Sequence, residues 1–241
     1  QFLYSLIRMT RSWRLLEVGL GYSTPFMAKA LVDAVDDHVA DMQAAQDREG
    51  GSERRGVLLP RYFTQNHCGI LHAIDDFSLE ETSAPKVMKI LKNLGLDSAV
   101  KTYNGDFRGM GKNLEPATLP LDLIWFDCGG PPEYVDFMKE FWPLLKPDGG
   151  MLILHFTYWQ MGGPDGEMLM GSIANEIKRQ QAMAGLDARF EVLSLVEPHK
   201  RRQGSVTMIR RLGWDSSIRN RSFEDDVKQV INTDSESFPA L

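Results

Sequence analysis

The hydrophobic pattern of the chain alternates between helical spacing and the apolar runs of buried strands. The run from Leu121 to Phe126 is almost entirely apolar, which is typical of a strand buried on both faces of a parallel sheet. Helices are predicted over residues 1–9, 25–42, 83–94, 133–145 and 168–184, and strands over 14–18, 69–74, 100–103, 121–126, 151–156, 189–196 and 205–210. The short link before the last strand predicts an antiparallel hairpin. The pattern therefore predicts an α/β fold with a doubly wound, Rossmann-like, mainly parallel seven-stranded sheet and an antiparallel edge hairpin.

The same pattern predicts the domain organisation. We expect a single domain over residues 1–212 and a polar tail over 213–241 that is poorly ordered or contacts a partner. An insertion over residues 36–68 contains a charged, glycine-containing loop and is a candidate lid.

Composition narrows the class of protein. Of 241 residues, 43% are hydrophobic and 25% charged, which is ordinary for a soluble globular protein. The net charge of −6 argues against a nucleic-acid partner. Cys68 and Cys128 form no disulfide framework, so a reducing, cytoplasmic location is expected. No apolar run reaches the roughly 18 residues that span a bilayer, so no membrane association is expected.

The segment from Glu17 to Thr24 indicates a ligand site. It combines the end of a buried strand, a tight glycine turn and the start of a helix. Gly19 and Gly21 permit backbone geometries that a Cβ would block, and they let a ligand approach closely. A helix start also offers N–H groups to an anion. This layout is typical of a nucleotide-type cofactor site, although the third glycine of the dinucleotide fingerprint is missing.

The predicted strand ends together resemble those of the class I S-adenosylmethionine-dependent methyltransferases. The segments that carry the resemblance cover about residues 1–211 and are Glu17-Val18-Gly19-Leu20-Gly21, Ala73-Ile74-Asp75-Asp76, Asn104-Gly105-Asp106-Phe107, Asp122-Leu123-Ile124-Trp125-Phe126-Asp127 and residues 144–152. Within that class the chain is most similar to the small-molecule O-methyltransferases of the catechol and caffeoyl-CoA type. Residues 127–130 and the pair His155-Phe156 depart from that pattern, and the pair stands where those enzymes have a metal-binding Asp-Asn.

The resemblance implies S-adenosylmethionine as cofactor and assigns roles to residues. Asp75, with Asp76 as competitor, is expected to accept hydrogen bonds from the ribose hydroxyls. Asp106 is expected to bind the adenine amine, with the ring or backbone N–H of Phe107 beside it, unless Asp106 is a helix N-cap. The other expected cofactor contacts are Glu17, Gly19, Gly21, Tyr22, Ser23 and Asp127.

Two residues are candidates for catalysis. Methyl transfer from a sulfonium is an in-line displacement, so the enzyme must align the acceptor and remove its proton. His155 is predicted as the general base, because imidazole suits this role near neutral pH. Asp127 is expected to orient His155, to bind the substrate or to contact the cofactor. The alternative for His155 is a histidine at the edge of the core that bonds to a backbone group.

The departures at 155–156 bear on metal binding. His155 and Phe156 stand in place of two residues whose oxygen atoms bind the metal in those enzymes, so we predict no magnesium requirement and no bound metal. A softer metal at Asp127 and His155 stays open, with His67 or His72 as a third ligand. His72 lies inside a predicted strand and is expected to be a core residue.

The acceptor is predicted to be a small molecule that is methylated at oxygen or at nitrogen. Its expected contacts are Tyr158, Trp159, Tyr62 and His67, for which ordinary core or dimer contacts are the alternative. A homodimer stays open. The alternative functions are a non-catalytic S-adenosylmethionine-binding partner protein and an NAD-dependent oxidoreductase.

Overall fold

Five helices and seven strands occur in the described part of the computed structural model, which comprises residues 2–46, 62, 69–129, 131–157, 169–184, 189–196 and 205–213. The helices are α1 (Phe2–Thr10), α2 (Ser23–Gln46), α3 (Ala84–Asn93), α4 (Pro131–Phe141) and α5 (Leu169–Ala184). The strands are β1 (Arg14–Val18), β2 (Ile70–Asp75), β3 (Val100–Asn104), β4 (Leu123–Phe126), β5 (Met151–His155), β6 (Phe190–Val196) and β7 (Ser205–Arg211). Short 3-10 helices cover Asp97–Ala99, Gly111–Asn113, Pro116–Thr118 and Trp142–Leu144. None of the described helices is long and apolar enough to cross a membrane.

The strands form one sheet in the order β3-β2-β1-β4-β5-β7-β6. β1 pairs in parallel with β2 and with β4, and β2 pairs in parallel with β3. β6 and β7 pair antiparallel. The predicted mainly parallel, seven-stranded sheet with an antiparallel edge is therefore confirmed. The strand order reverses between β1 and β4, and in such sheets the crevice beyond the carboxyl ends at this point is where ligands bind.

The chain divides into two compact units. The first comprises residues 1–145 and 152–155, and the second comprises 146–151 and 156–241. The core of the first unit contains the fully buried side chains Leu15, Leu16, Leu71, Ile124, Phe126 and Ile153. In the second unit the hydroxyl of Thr207 donates to Thr157, and both residues are buried. A single catalytic domain over residues 1–212 stays a prediction.

Helix α2 is longer than the predicted range of 25–42, because it continues to Gln46. Two carboxylates one turn apart on this helix are paired with arginines. Nη2 and Nε of Arg8 donate hydrogen bonds to Asp37, at 2.7 and 3.0 Å. Arg11 bonds to Asp41 at 3.1 Å. Residues 36–46, expected to belong to the insertion, are therefore a helical extension that these ion pairs hold.

Two predicted boundaries are corrected around β4. The strand begins at Leu123, not at residue 121, because the Asp122 carboxylate accepts hydrogen bonds from the backbone N–H groups of Trp13 and Arg14. Helix α4 ends at Phe141, not at residue 145, and a 3-10 helix follows. Pro143 explains the change, because proline removes a helical donor and clashes with the preceding turn.

Candidate active site

In the glycine turn after β1, Gly19 is closely packed against Asp127, whereas Gly21 has open space beside it. Gly19 has φ +96°, and its N–H donates to the Ile74 carbonyl at 2.9 Å. A Cβ on Gly19 would lie 2.7 Å from the Asp127 carbonyl oxygen. A Cβ on Gly21 would meet no atom within 4 Å. Glycine is thus required for packing at position 19, whereas position 21 leaves space over the turn.

Of the two acidic residues after β2, Asp75 lies at the glycine turn. Its Oδ2 accepts a hydrogen bond from the Leu20 N–H at 2.6 Å, and its Oδ1 accepts one from the Thr82 hydroxyl at 2.8 Å. Because a carboxylate offers about four lone-pair sites, Asp75 can accept further hydrogen bonds. Asp76 instead accepts from the hydroxyl and backbone N–H of Ser78, at 2.6 and 2.9 Å, and these bonds lower its pKa. The geometry therefore favours Asp75 over Asp76 as the ligand-binding carboxylate.

Glu17 lies fully buried beneath the same turn. The Ser23 hydroxyl donates to its Oε1 at 2.5 Å, while its Oε2 has no hydrogen-bond partner among the described residues. Burial raises the pKa of Glu17 to about 8, against the lowering effect of the hydrogen bond from Ser23. The Thr24 hydroxyl oxygen also accepts from the Gly21 N–H at 3.1 Å. The hydroxyls of Ser23 and Thr24 are therefore both hydrogen-bonded within the segment from Glu17 to Gly21.

In the loop after β3, Asp106 and Phe107, the two residues expected to bind adenine, have different surroundings: Asp106 is exposed and Phe107 is buried. Asp106 is exposed, and both of its carboxylate oxygens bond to the Arg108 backbone or guanidinium, at 2.8 and 2.9 Å. Phe107 is only 5% exposed and packs edge-on against Phe126 and Phe137, with ring centroids 5.5 and 5.7 Å apart. The expectation that the Phe107 ring lies beside the adenine is therefore corrected, because the ring belongs to an aromatic core.

The side chain of Tyr22 points away from the turn. It is 87% exposed and contacts Phe26, one helical turn later, with ring centroids 5.1 Å apart. Only the backbone of Tyr22 is therefore placed to line the amino-acid tail of the expected cofactor.

Tyr62 lies at the far end of α2. Its hydroxyl donates to Asp41 at 2.9 Å and accepts from Arg11 Nε at 3.3 Å. Asp41 follows Ser23 by 18 residues, which is about 27 Å along a helix. The expected contact between Tyr62 and the acceptor is therefore not formed in this structure. The other expected acceptor contacts, Tyr158, Trp159 and His67, lie outside the described residues.

His155 and Asp127 form a hydrogen-bonded pair at the ends of β5 and β4. The imidazole Nδ1 lies 2.5 Å from Asp127 Oδ1, and the two side chains are 17% and 25% exposed. A carboxylate only accepts hydrogen bonds, so Nδ1 carries the hydrogen atom of this bond. The partner of Nδ1 is therefore a carboxylate and not a backbone group.

Two aromatic residues around this pair were not expected from the sequence. The Trp125 ring lies 5.1 Å from the imidazole at an interplanar angle of 35°. Tyr134 donates its hydroxyl hydrogen to the His155 carbonyl oxygen at 2.5 Å. The sequence could have indicated Trp125, because this residue precedes Asp127 by two positions at the end of a predicted strand, and residues two apart in a strand lie on the same face of the sheet. Tyr134 follows Asp127 by seven residues, a spacing that belongs to the family resemblance, but only the packing of α4 shows that it reaches β5.

No group of three or more His, Cys, Asp or Glu side chains within the described ranges is arranged to hold a metal ion. His72, considered as a third ligand, is fully buried. Its Nδ1 bonds to the Tyr103 hydroxyl and its Nε2 to the Thr118 hydroxyl, each at 2.9 Å. Both ring nitrogens are therefore used in the core of the sheet, as expected for a core residue.

Comparisons with known proteins agree with this fold. Residues 16–155 match the family model described as a methyltransferase domain, and the chain belongs to that family. The predicted enzyme class is thereby confirmed. A search of curated proteins finds no match.

Solved structures share the fold at low sequence identity. The O-methyltransferase TomG from Streptomyces achromogenes, involved in tomaymycin synthesis and solved with SAM, is 19% identical, with a TM-score of 0.59 over 88% of this chain and 78% of that chain. The O-methyltransferase from Bacillus cereus in complex with SAH is 15% identical, with a TM-score of 0.57 over 87% and 79%. A putative rRNA-methylase from Clostridium thermocellum is 15% identical, with a TM-score of 0.53 over 87% and 93%. At these identities the likenesses establish the fold and not the acceptor.

Proposed function

We propose that this methyltransferase transfers a methyl group from S-adenosylmethionine to an oxygen atom of a small molecule, with His155 as general base. Nitrogen acceptors stay as a second option. The single observation that carries the proposal is the His155–Asp127 pair at the ends of β5 and β4, beside the point between β1 and β4 where the strand order reverses. The net charge of −6 favours a small-molecule acceptor over nucleic acid, and the free thiol of Cys128 is consistent with a cytoplasmic location.

The residues at the glycine turn fit the proposed cofactor. Asp75 has unused lone pairs for the ribose hydroxyls, and the space at Gly21 lets a ligand approach the backbone. The buried, unpaired Oε2 of Glu17 offers an acceptor for the cofactor's ammonium group. Asp106 is placed to accept from the adenine amine if it exchanges one of its bonds with Arg108.

In the proposed reaction the chain's own residues handle the acceptor's proton. S-adenosylmethionine supplies an electrophilic methyl group on a sulfonium, which is an excellent leaving group. The acceptor hydroxyl gives its proton to Nε2 of His155 as its oxygen bonds to the methyl carbon and the carbon–sulfur bond breaks. Asp127 stabilises the resulting imidazolium and keeps Nδ1 protonated. These residues perform the reaction without a metal ion.

Calorimetry and labelled turnover test the proposal in sequence. S-adenosylhomocysteine should bind to the purified protein and NAD should not; the reverse result refutes the cofactor assignment. Methyl-labelled S-adenosylmethionine should then transfer label to members of a panel of phenols, catechols and alcohols. Cofactor binding with no transfer to any acceptor would favour the non-catalytic partner protein.

Substitution of His155 tests the base. His155→Ala should lower turnover by roughly 10²–10⁴-fold and leave the affinity for S-adenosylhomocysteine within a few-fold. Unchanged turnover contradicts the assignment.

Neighbouring carboxylates provide a matched test of the cofactor site. Asp75→Ala should weaken S-adenosylhomocysteine binding, because it removes the carboxylate beside the glycine turn. Asp76→Ala should have a much smaller effect, because the side chain of Asp76 accepts its hydrogen bonds from Ser78 and not from the glycine turn. The opposite ranking would show that Asp76 binds the ribose.

A further inference from the structure

A side chain from α4 holds the end of β5. Tyr134 is 2% exposed and donates its hydroxyl hydrogen to the His155 carbonyl at 2.5 Å. Its ring packs against Phe126, with centroids 5.1 Å apart, so the hydroxyl has little freedom to move. Burial, with the Asp127 carboxylate nearby, raises the pKa of the Tyr134 hydroxyl. The hydroxyl therefore stays protonated and stays the donor at neutral pH.

The backbone immediately after His155 is strained. Phe156 has φ +57°, in the left-handed region that residues other than glycine rarely adopt. Such a conformation persists only where surrounding contacts determine it. Tyr134 fixes the carbonyl that precedes Phe156, and the Phe156 N–H donates to the Ser205 carbonyl at 3.0 Å. The peptide group between His155 and Phe156 is thus held at its oxygen and at its nitrogen.

The orientation of this peptide determines where the imidazole points. The Cα of His155 belongs to the held backbone, and its side chain must reach Asp127 at 2.5 Å with the Trp125 ring alongside. Resting on the proposed role of His155, we propose that Tyr134 is a positioning residue. Its hydroxyl holds the end of β5 so that His155 engages Asp127 through Nδ1 and presents Nε2 to the acceptor.

The tautomer of His155 reports this positioning without any acceptor. The chain has five histidines, and in ring-¹⁵N-labelled protein the signals that His155→Gln removes are those of His155. In the wild-type chain the imidazole should be predominantly the Nδ1–H tautomer. In Tyr134→Phe the share of the other tautomer should rise at least about threefold, because the Nδ1–H form is set by its bond to Asp127.

Tyr103→Phe is the matched control. Like Tyr134→Phe, this substitution removes a tyrosine hydroxyl that hydrogen-bonds to a histidine residue of a strand, here to Nδ1 of His72 on β2 at 2.9 Å. The strand register places Tyr103 and His72 on the face of the sheet opposite Glu17 and Trp125. Tyr103→Phe should therefore change the His72 signals and leave the His155 signals as in the wild type.

A double-mutant cycle on turnover completes the test, with an acceptor from the labelled screen. Tyr134→Phe should lower kcat about tenfold in the wild-type background but less than about twofold in the His155→Gln background. An unchanged His155 tautomer in Tyr134→Phe, or an equal change in Tyr103→Phe, would overturn the positioning role. Full turnover by His155→Gln would instead refute His155 as base, and the tautomer measurement would still decide whether Tyr134 positions the imidazole.

Discussion

The buried carboxyl of Glu17 makes the stability of the ligand-free protein depend on pH. Burial raises the pKa of Glu17 from its ordinary value of 4.5 to about 8. Between these values the folded protein keeps a proton that the unfolded chain releases, so the free energy of unfolding falls as the pH rises. The cost is small below pH 4.5 and reaches its full value above pH 8. The isosteric substitution Glu17→Gln removes this titration and keeps the volume of the side chain.

The magnitude follows from the two pKa values. The full difference corresponds to about 5 kcal/mol, and linkage assigns about 3 kcal/mol of it to the interval from pH 5.5 to pH 8.5. Relative to the wild type, Glu17→Gln should therefore gain about 3 kcal/mol in this interval, or about 6–12 °C in Tm at 2–4 °C per kcal/mol. Urea and thermal unfolding of both proteins without cofactor measure the difference.

The control is Glu115→Gln. The Glu115 carboxylate is exposed and pairs with Lys101, which lowers its pKa. Because that pKa is lowered, Glu115 is ionised in the folded and in the unfolded protein above pH 5.5, so Glu115→Gln should leave the pH dependence of stability between pH 5.5 and 8.5 as in the wild type. A stability difference between wild type and Glu17→Gln that does not change from pH 5.5 to 8.5 would refute the reasoning, because it would mean that Glu17 is already ionised in the folded protein.

Two further predictions concern closely packed residues, Gly19 in the glycine turn and His72 in the sheet. Gly19→Ala should lower the free energy of unfolding by about 2–4 kcal/mol, because the residue has φ +96° and the new Cβ would lie 2.7 Å from the Asp127 carbonyl oxygen. The control Gly21→Ala should change the free energy of unfolding by less than about 0.5 kcal/mol. Equal losses for the two variants in urea unfolding would contradict this prediction. Burial lowers the pKa of His72 from 6.5 to about 4, so the folded protein resists a proton that the unfolded chain accepts, and stability should fall as the pH is lowered from 6.5 towards 4. The His72 imidazole signals measure this directly, and protonation near pH 6.5 in the folded state would show the expectation to be wrong.

The sequence by itself determined the order of helices and strands, the sheet class and the glycine turn. These features depend on local periodicity and on residue types with special backbone behaviour, as at Gly19. It also brought Asp75, Asp127 and His155 to one region, because the carboxyl ends of parallel strands meet at one edge of a sheet. Local rules failed at the ends of helices, as for α2, which continues past the predicted residue 42 to Gln46.

Only the tertiary structure decided which side chains face the site. Adjacent carboxylates such as Asp75 and Asp76 look alike in sequence, and their partners, Leu20 and Ser78, differ only after the turn and strand have packed. Phe107 follows an acidic strand end in sequence but turns into the aromatic core, and Tyr134 reaches His155 across 21 residues. Side-chain direction at a loop or helix face depends on strand register and helix packing, and these are set by contacts between residues far apart in the chain.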